Sequence, residues 1–442
     1  MPALFNPTHH STLLGISFVT VIQFLSTAII GGAIGIGVGA VIYSHPKIKD
    51  GITGFLRIGM WIPVFLLWFI PVVRDLAVWL NNILPGIMVT ATLAVAMATL
   101  RDHIIGRSLL KTDRSDVLRS ALRSALIQAL MVCLFSQPMM SGYGWHWFIG
   151  GSRALASTIL VGVVLFIIER VSRSSFDASS AICARILLAE LSQDAWRRIV
   201  RAGVVGLFLL CVWQLLAMTA LSRIISSPID VLASLSTLFT KDDIWRDMYV
   251  SNIEMFAGIF VGVGIGIVFS SSLQMFAALR GVLLASLPMT FITPIMAITI
   301  PSAWFFQYGL WPKIVGIALI SFFPFFRAFW GLRERPLGLR ILMGVDQALP
   351  FAFVAMLFGE SMASNDGLGF SLVQLSALGH DRSEGLAIVF VITLLLAVYS
   401  WSLRSIAKYR YSGKLRGQAC FIAIQFEREE KGDILNFFLS AH

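Results

Sequence analysis

Two stretches carry glycines at a spacing that phosphate chemistry uses: GGAIGIGVG, Gly31 to Gly39, and GIFVGVGIG, Gly258 to Gly266. A glycine-rich loop cradles a phosphate when it follows a strand, opens a helix and ends in Lys-Ser/Thr. Neither stretch is built that way. Both lie inside long uncharged runs, and GxxxxGK[ST] occurs nowhere in the chain. The chain is not itself a Walker-type ATPase.

The ionisable residues offer no catalytic grouping either. His9, His10, His45, His103 and His380 lack metal-ligand spacing. Cys133, Cys183, Cys211 and Cys420 form no CxxC pair and read as small hydrophobes. The expectation is a non-enzyme with no catalytic residues, no cofactor and no metal. Asp346 and Glu360 stand out for a different reason: they bracket an apolar stretch. An acid at a membrane boundary is either a path or gating residue or a solvated helix-end charge. The same choice applies to Gln347 beside Asp346.

The elements that must position these residues are membrane helices. Of the 442 residues, 57% are hydrophobic and 13% charged, about half the charge of an ordinary soluble domain, where roughly a quarter is typical. The mean hydropathy is +0.82. No charged residue precedes Lys47, and further uncharged runs cover 76–100, 124–152, 202–222, 255–279 and 281–312. A bilayer-spanning helix needs about 20 apolar residues, so each run is long enough to cross. The net charge of +10 then reflects basic cytoplasmic loops and not nucleic-acid binding. No cleavable signal peptide is evident at the start.

Eleven spans are expected: 17–43, 56–73, 79–100, 122–140, 153–169, 199–221, 251–270, 281–306, 311–332, 342–361 and 385–404. The tenth has thirteen uncharged residues between Asp346 and Glu360, so it has to be tilted, broken or sheltered by neighbours. Lys and Arg concentrate in 101–123, 170–201, 327–340 and the tail after 404, all on one side of an eleven-span chain. That side is predicted to be cytoplasmic, with the N-terminus outside and the C-terminus inside. Facing intramembrane charges, which a secondary transporter would need, are not visible in the sequence.

The glycines find their use here. Gly31, Gly35 and Gly39 recur as Gly258, Gly262 and Gly266 at an offset of 227, Leu84-Pro85 recurs as Trp311-Pro312, and Gly142-Tyr-Gly144 recurs as Gly367-Leu-Gly369. Ordered matches at near-constant offset point to duplication. The fold class expected is all-α, with two parallel repeats of five helices plus a linking sixth. The boundaries are 1–173 for the first half, 174–222 for the linker and sixth span, 223–406 for the second half and 407–442 for a tail. Glycines four apart share one helix face, where a neighbouring backbone can approach closely in lipid.

The second half resembles the permease subunits of binding-protein-dependent ABC importers, in particular the nitrate/sulfonate/taurine group. The resemblance is carried by SSPIDVLASLSTLF (226–239), IWRDMYVSNIEMFAGIFVGVGIGIVFSSS (244–272), SLPMTFITPIMAITIPSAWFFQYGLWPKIVGIALISFFPFFRAFWGLR (286–333) and GESMASNDGLGFSLVQ (359–374). It implies a bacterial inner-membrane permease, multi-pass, with no catalytic residues. It also implies cytoplasmic ATP-binding subunits as partners, an extracytoplasmic solute-binding protein, and a small anion or sulfonate-like solute. Both membrane halves would lie in one chain. Pro288, Pro294 and Pro301 in span eight, like Pro63 and Pro71 in span two, can kink a path-lining helix or be tolerated kinks. Trp304, Phe305, Phe306 and Tyr308 read as an interfacial aromatic belt.

The chain departs from that family at the cytoplasmic docking loop, where Glu-Ala-Ala-x3-Gly is expected. In the first half LLKTDRSDVLRSAL can form a short amphipathic helix, with Arg114, Val117, Leu118 and Arg119 as candidates for contact with an ATPase. In the second half GLRERPLGLRI leaves almost no loop. A divergent permease-like scaffold subunit and a secondary transporter are the alternatives. The tail, with EREEKGD before ILNFFL, reads equally as an amphipathic helix or a disordered end.

Overall fold

The computed structural model describes residues 13–43, 195–219, 226–240, 242–275, 309–363, 365–377 and 382–439, together with 96, 187 and 188. All regular structure among them is helical. The helices are α1 (Leu13–Tyr43), α2 (Ala195–Ala217), α3 (Pro228–Thr240), α4 (Asp242–Met275), α5 (Leu310–Gly331), α6 (Leu337–Ala363), α7 (Leu368–Ala377) and α8 (Arg382–Leu439). Among the described residues, four stretches are long and apolar enough to cross a bilayer: Asp243–Leu273, Leu310–Gly331, Leu337–Leu357 and Ser383–Tyr411. The protein is a polytopic α-helical membrane protein.

The four spans form one bundle in which α6 touches the other three and α5 is the most buried. Phe325 and Phe326 are fully buried, and Phe322, Phe326 and Trp330 make successive ring contacts along α5. Phe269 of α4 meets Phe322 and Phe326 edge-on. Side-chain pairings fix the directions. On α4 and α5, Gly258 faces Ile317 and Gly266 faces Phe325, so these helices run the same way. On α5 and α6, Phe325 meets Gly344 and Lys313 meets Gly359, so α6 runs opposite. On α6 and α8, Asp346 meets Arg404 while Phe353 meets Tyr399, again antiparallel.

The bundle therefore has two chemically distinct ends. One gathers the starts of α4, α5 and α8, the end of α6, and α7. It carries Asp247, Glu254, Glu360 and Asp366. The other gathers the end of α5, the start of α6 and the later part of α8, with Arg327, Arg333, Arg335, Arg340 and Arg404. There α5 and α6 are joined by a tight turn: Leu332 N–H donates to Ala328 O, Arg333 N–H to Trp330 O and Arg335 N–H to Leu332 O. Leu187 inserts at this end among Ala328, Leu332, Leu339, Met343 and Ala407. Leu187, in the segment read as the linker, thus packs against α5, α6 and α8.

The helix α6 accounts for the short tenth span. It runs continuously for 27 residues through Pro350. Asp346 and Glu360 are both buried and partnered, so neighbours shelter the polar ends that lipid would not. The helix α8 also continues unbroken past 406, through the segment read as a separate tail, to Leu439.

Candidate functional site

One face of α4 builds the site. Asp247, Ser251, Glu254, Gly258, Gly262 and Gly266 follow at steps of three or four, so they form a single stripe. All six are buried. The glycine part sets the approach of α5. A Cβ on Gly258 would lie 2.5 Å from Ile317, one on Gly262 2.5 Å from Ser321 Oγ and 2.6 Å from Ala318 O, and one on Gly266 2.5 Å from Phe325. No side chain fits there, and backbone oxygen faces Gly262 directly.

The same register continues into the charged part. Ile317, Ser321 and Phe325 each lie 59 positions beyond the glycine they cover, and Lys313 lies 59 beyond Glu254. The Lys313 ammonium donates to Glu254 Oε1 at 2.5 Å, with side-chain exposures of 6% and 3%. The ion pair is the fourth rung of a ladder whose other three rungs are glycine contacts. Close helix approach is what lets so short a contact form across two backbones. A pair this buried is maintained by geometry and packing, since desolvation cancels much of its Coulomb attraction.

Above that rung, Glu360 and α4 clasp the segment that enters α7. Gly367 N–H donates to Asp247 Oδ1 at 2.9 Å, Leu368 N–H to Ser251 Oγ at 2.9 Å and Gly369 N–H to Glu360 Oε2 at 2.7 Å. Ser251 Oγ in turn donates to Glu360 Oε1 at 2.5 Å, and Ser371 Oγ donates to Asp247 Oδ2. Helix N-termini leave backbone donors unpaired, and carboxylates there complement the dipole. Here the acceptors come from α4 and α6, so capping α7 ties three helices together. Gly367 has φ of 112°, the left-handed region, and its Cβ would overlap the Glu360 carboxyl. Gly369 is pressed equally closely against Leu357 O. The Gly-Leu-Gly after the acid is thus the backbone that fits beneath it.

At the opposite end Asp346 is fully enclosed at its side chain. Its Oδ1 accepts from Ser400 Oγ at 2.6 Å, and its Oδ2 accepts from Arg404 Nε at 3.0 Å and Nη2 at 2.9 Å. Arg340 stacks 3.8 Å over Phe329 and donates to its carbonyl. Tyr399 Oη donates to Asn252 Oδ1, joining α8 to α4 between the two ends.

These contacts go beyond what the sequence offered in three respects. Facing intramembrane charges are present: Glu254 with Lys313 and Asp346 with Arg404. They were invisible in the sequence because the partners stand 59 and 58 positions apart. Glu360 is not a solvated helix-end charge but lies at 0% exposure. Asp247, Ser251, Glu254 and Lys313 were missed as site residues, although the three- and four-residue steps from Asp247 into the glycine stripe are readable in the sequence. In α1, Gly31, Gly35 and Gly39 are buried on one face. Pro288, Pro294, Pro301, Arg114, Val117, Leu118, Arg119 and the aromatic belt lie outside the described residues. Among the described residues, no cluster of His, Cys, Asp and Glu is arranged to hold a metal.

No family model matches the chain, and no solved structure matches it. The chain is similar to a probable ABC transporter permease protein of Haemophilus influenzae, 26% identical over 225 residues. The match covers 44% of this chain and 90% of the relative. Together with the polytopic helical bundle, this likeness supports a permease component of an ABC transporter.

Proposed function

We propose that the chain is the membrane permease of an ABC-type importer, carrying both membrane halves and driven by separate ATP-binding subunits. The observation that carries this reading is the likeness to a permease over nine-tenths of that protein's length. The α4 ladder and the Glu360 clasp add to it, because they account physically for two of the stretches that resemble the importer group. The solute is a small anion or sulfonate-like acid brought by an extracytoplasmic binding protein. The arginine-rich end faces the cytoplasm of a bacterial cell and the acidic end faces outward, with the N-terminus outside. Pro288, Pro294 and Pro301, between α4 and α5, act at the path. Any ATPase contact in the first half uses Arg114, Val117, Leu118 and Arg119. In the second half the α5–α6 turn is closed by its own hydrogen bonds and has no room for a docking helix.

Co-purification in detergent tests this. A stoichiometric ATP-binding subunit whose hydrolysis rises with an added solute and binding protein is the expected result. A chain that purifies alone, from cells whose neighbouring genes encode no such ATPase, would sink the importer. A secondary transporter is the second reading, favoured by the buried Glu254–Lys313 and Asp346–Arg404 pairs.

A further inference from the structure

The two glycine helices are covered in the same way. Between 28 and 42 the buried residues of α1 are Ala28, Gly31, Gly32, Gly35 and Gly39. Adding the repeat offset of 227 gives Met255, Gly258, Ile259, Gly262 and Gly266, and those are the buried residues of α4 over the matching interval. The exposed side repeats too. Ile34, Gly37 and Val41 are exposed on α1, as Val261, Gly264 and Val268 are on α4. A Cβ on Gly37 or on Gly264 would meet nothing within 4 Å. Both helices therefore bury one glycine face and leave the other side open, in a single register.

For α4 the cover is α5. Ile317, Ser321 and Phe325 close over Gly258, Gly262 and Gly266, each 59 positions further on. The start of α5 also matches the first half at the offset of 227, Trp311-Pro312 against Leu84-Pro85. With both helices displaced by the same number, the separation of 59 is unchanged in the first half. It places Thr90, Ala94 and Ala98 opposite Gly31, Gly35 and Gly39. Ala96 in that segment is helical and buried, and so is Phe323, 227 positions later in α5. Small side chains opposite glycine let two backbones approach, and close packing of this kind is what joins helices in lipid.

We propose, on the reading that the chain carries both membrane halves, that the segment 83–104 is the partner of the α1 glycine face and packs on it in the α4–α5 register. Each half then has one glycine-laddered helix pair, and the two pairs differ at one rung. Thr27 and Gly86 stand where Glu254 and Lys313 form their ion pair, again 59 positions apart. At that rung the first pair is without the charge contact that pins the second. A shift of register along the helices breaks an ion pair in the second half and none at the matching rung of the first.

Disulfide trapping on the full-length chain in native membranes tests the register. Cys133, Cys183, Cys211 and Cys420 are first replaced by alanine. On α4, Val263 packs against the cluster of Phe325, Phe329 and Ala348, so its counterpart Ile36 is expected beside Ala98. Ile36→Cys with Ala98→Cys should form an intrachain disulfide on mild oxidation, read as a linked peptide by mass spectrometry. Val38→Cys with Ala98→Cys should not, because Val38 lies on the exposed side. Equal linking of both pairs overturns the proposal. So does a 36–98 link between two copies, or no such link in a chain that elutes and melts like its parent. If the cysteine variants fail to fold, melting of the otherwise unaltered chain in detergent decides. Gly35→Leu and Ala94→Leu should each lower the midpoint, and their losses should not add in the double variant, as for residues in contact. Additive losses overturn the proposal. Neither measurement needs ATPase or solute, so the importer reading stands or falls separately by co-purification.

Discussion

The helix α6 carries one buried acid near each end, and the two are satisfied by opposite means. Asp346 meets a full cation, Arg404, whose side chain is 16% exposed and still reaches water. Glu360 meets only neutral donors, Ser251 Oγ and Gly369 N–H, and is sealed under the segment that opens α7. The first arrangement is a locally balanced pair beside an arginine-rich surface. The second is an acceptor that organises backbone while its charge is left to the Glu254–Lys313 rung. A balanced pair at a wet edge adds little strain and tolerates change. An acceptor sealed in this way is stable only while its packing stays shut.

The largest effect should come from breaking the rung. Lys313→Met strands Glu254 beside Glu360, and thermal or denaturant unfolding in detergent should show a loss of about 3–5 kcal/mol. Adding Glu254→Gln should recover most of it, and a double variant as weak as the single would refute the rung. Next comes the glycine ladder that sets it. Gly262→Leu pushes α4 from α5 against Ala318 O and should cost at least about 1–3 kcal/mol. Gly264→Leu, at a position with nothing within 4 Å of its Cβ, should cost little by the same measurement. Equal losses would show that the α4–α5 face is not where the glycines act. A smaller loss, about 1–3 kcal/mol, is expected for Gly367→Ala, which forces a side chain into the left-handed region and against Glu360. The smallest belongs to the balanced end. Asp346→Asn keeps the Ser400 contact and frees Arg404 toward solvent, so about 1 kcal/mol should be lost, and less at high salt. A larger loss than for Lys313→Met would invert the comparison of the two ends.

Parts of this were legible in the chain. The uncharged runs announced spans, and glycines four apart announced a helix face, because both signals are local and periodic. Gly367 and Gly369 were legible as a motif but not as a mechanism. Their use depends on Glu360 folding back over them, and nothing within Gly359–Gln374 says which atoms meet. Lys313 was not singled out within the span expected over 311–332, because a lysine near the start of an apolar run ordinarily faces water. Its burial depends on α4 arriving within a glycine's distance.

The sequence by itself determined that this is a helical membrane protein, where four of its spans run, and which face of α4 could be approached closely. Those follow from hydropathy and periodicity, which act over one or two helical turns. Only the tertiary structure decided that Glu254 meets Lys313, that Asp346 meets Arg404, and that Glu360 caps a helix instead of facing water. These are contacts between residues 58 or 59 positions apart, or across a chain reversal. In lipid the driving force between helices is close packing, not apolar burial. The register in which two surfaces interlock, and so which charges end up opposite each other, is a property of both helices together.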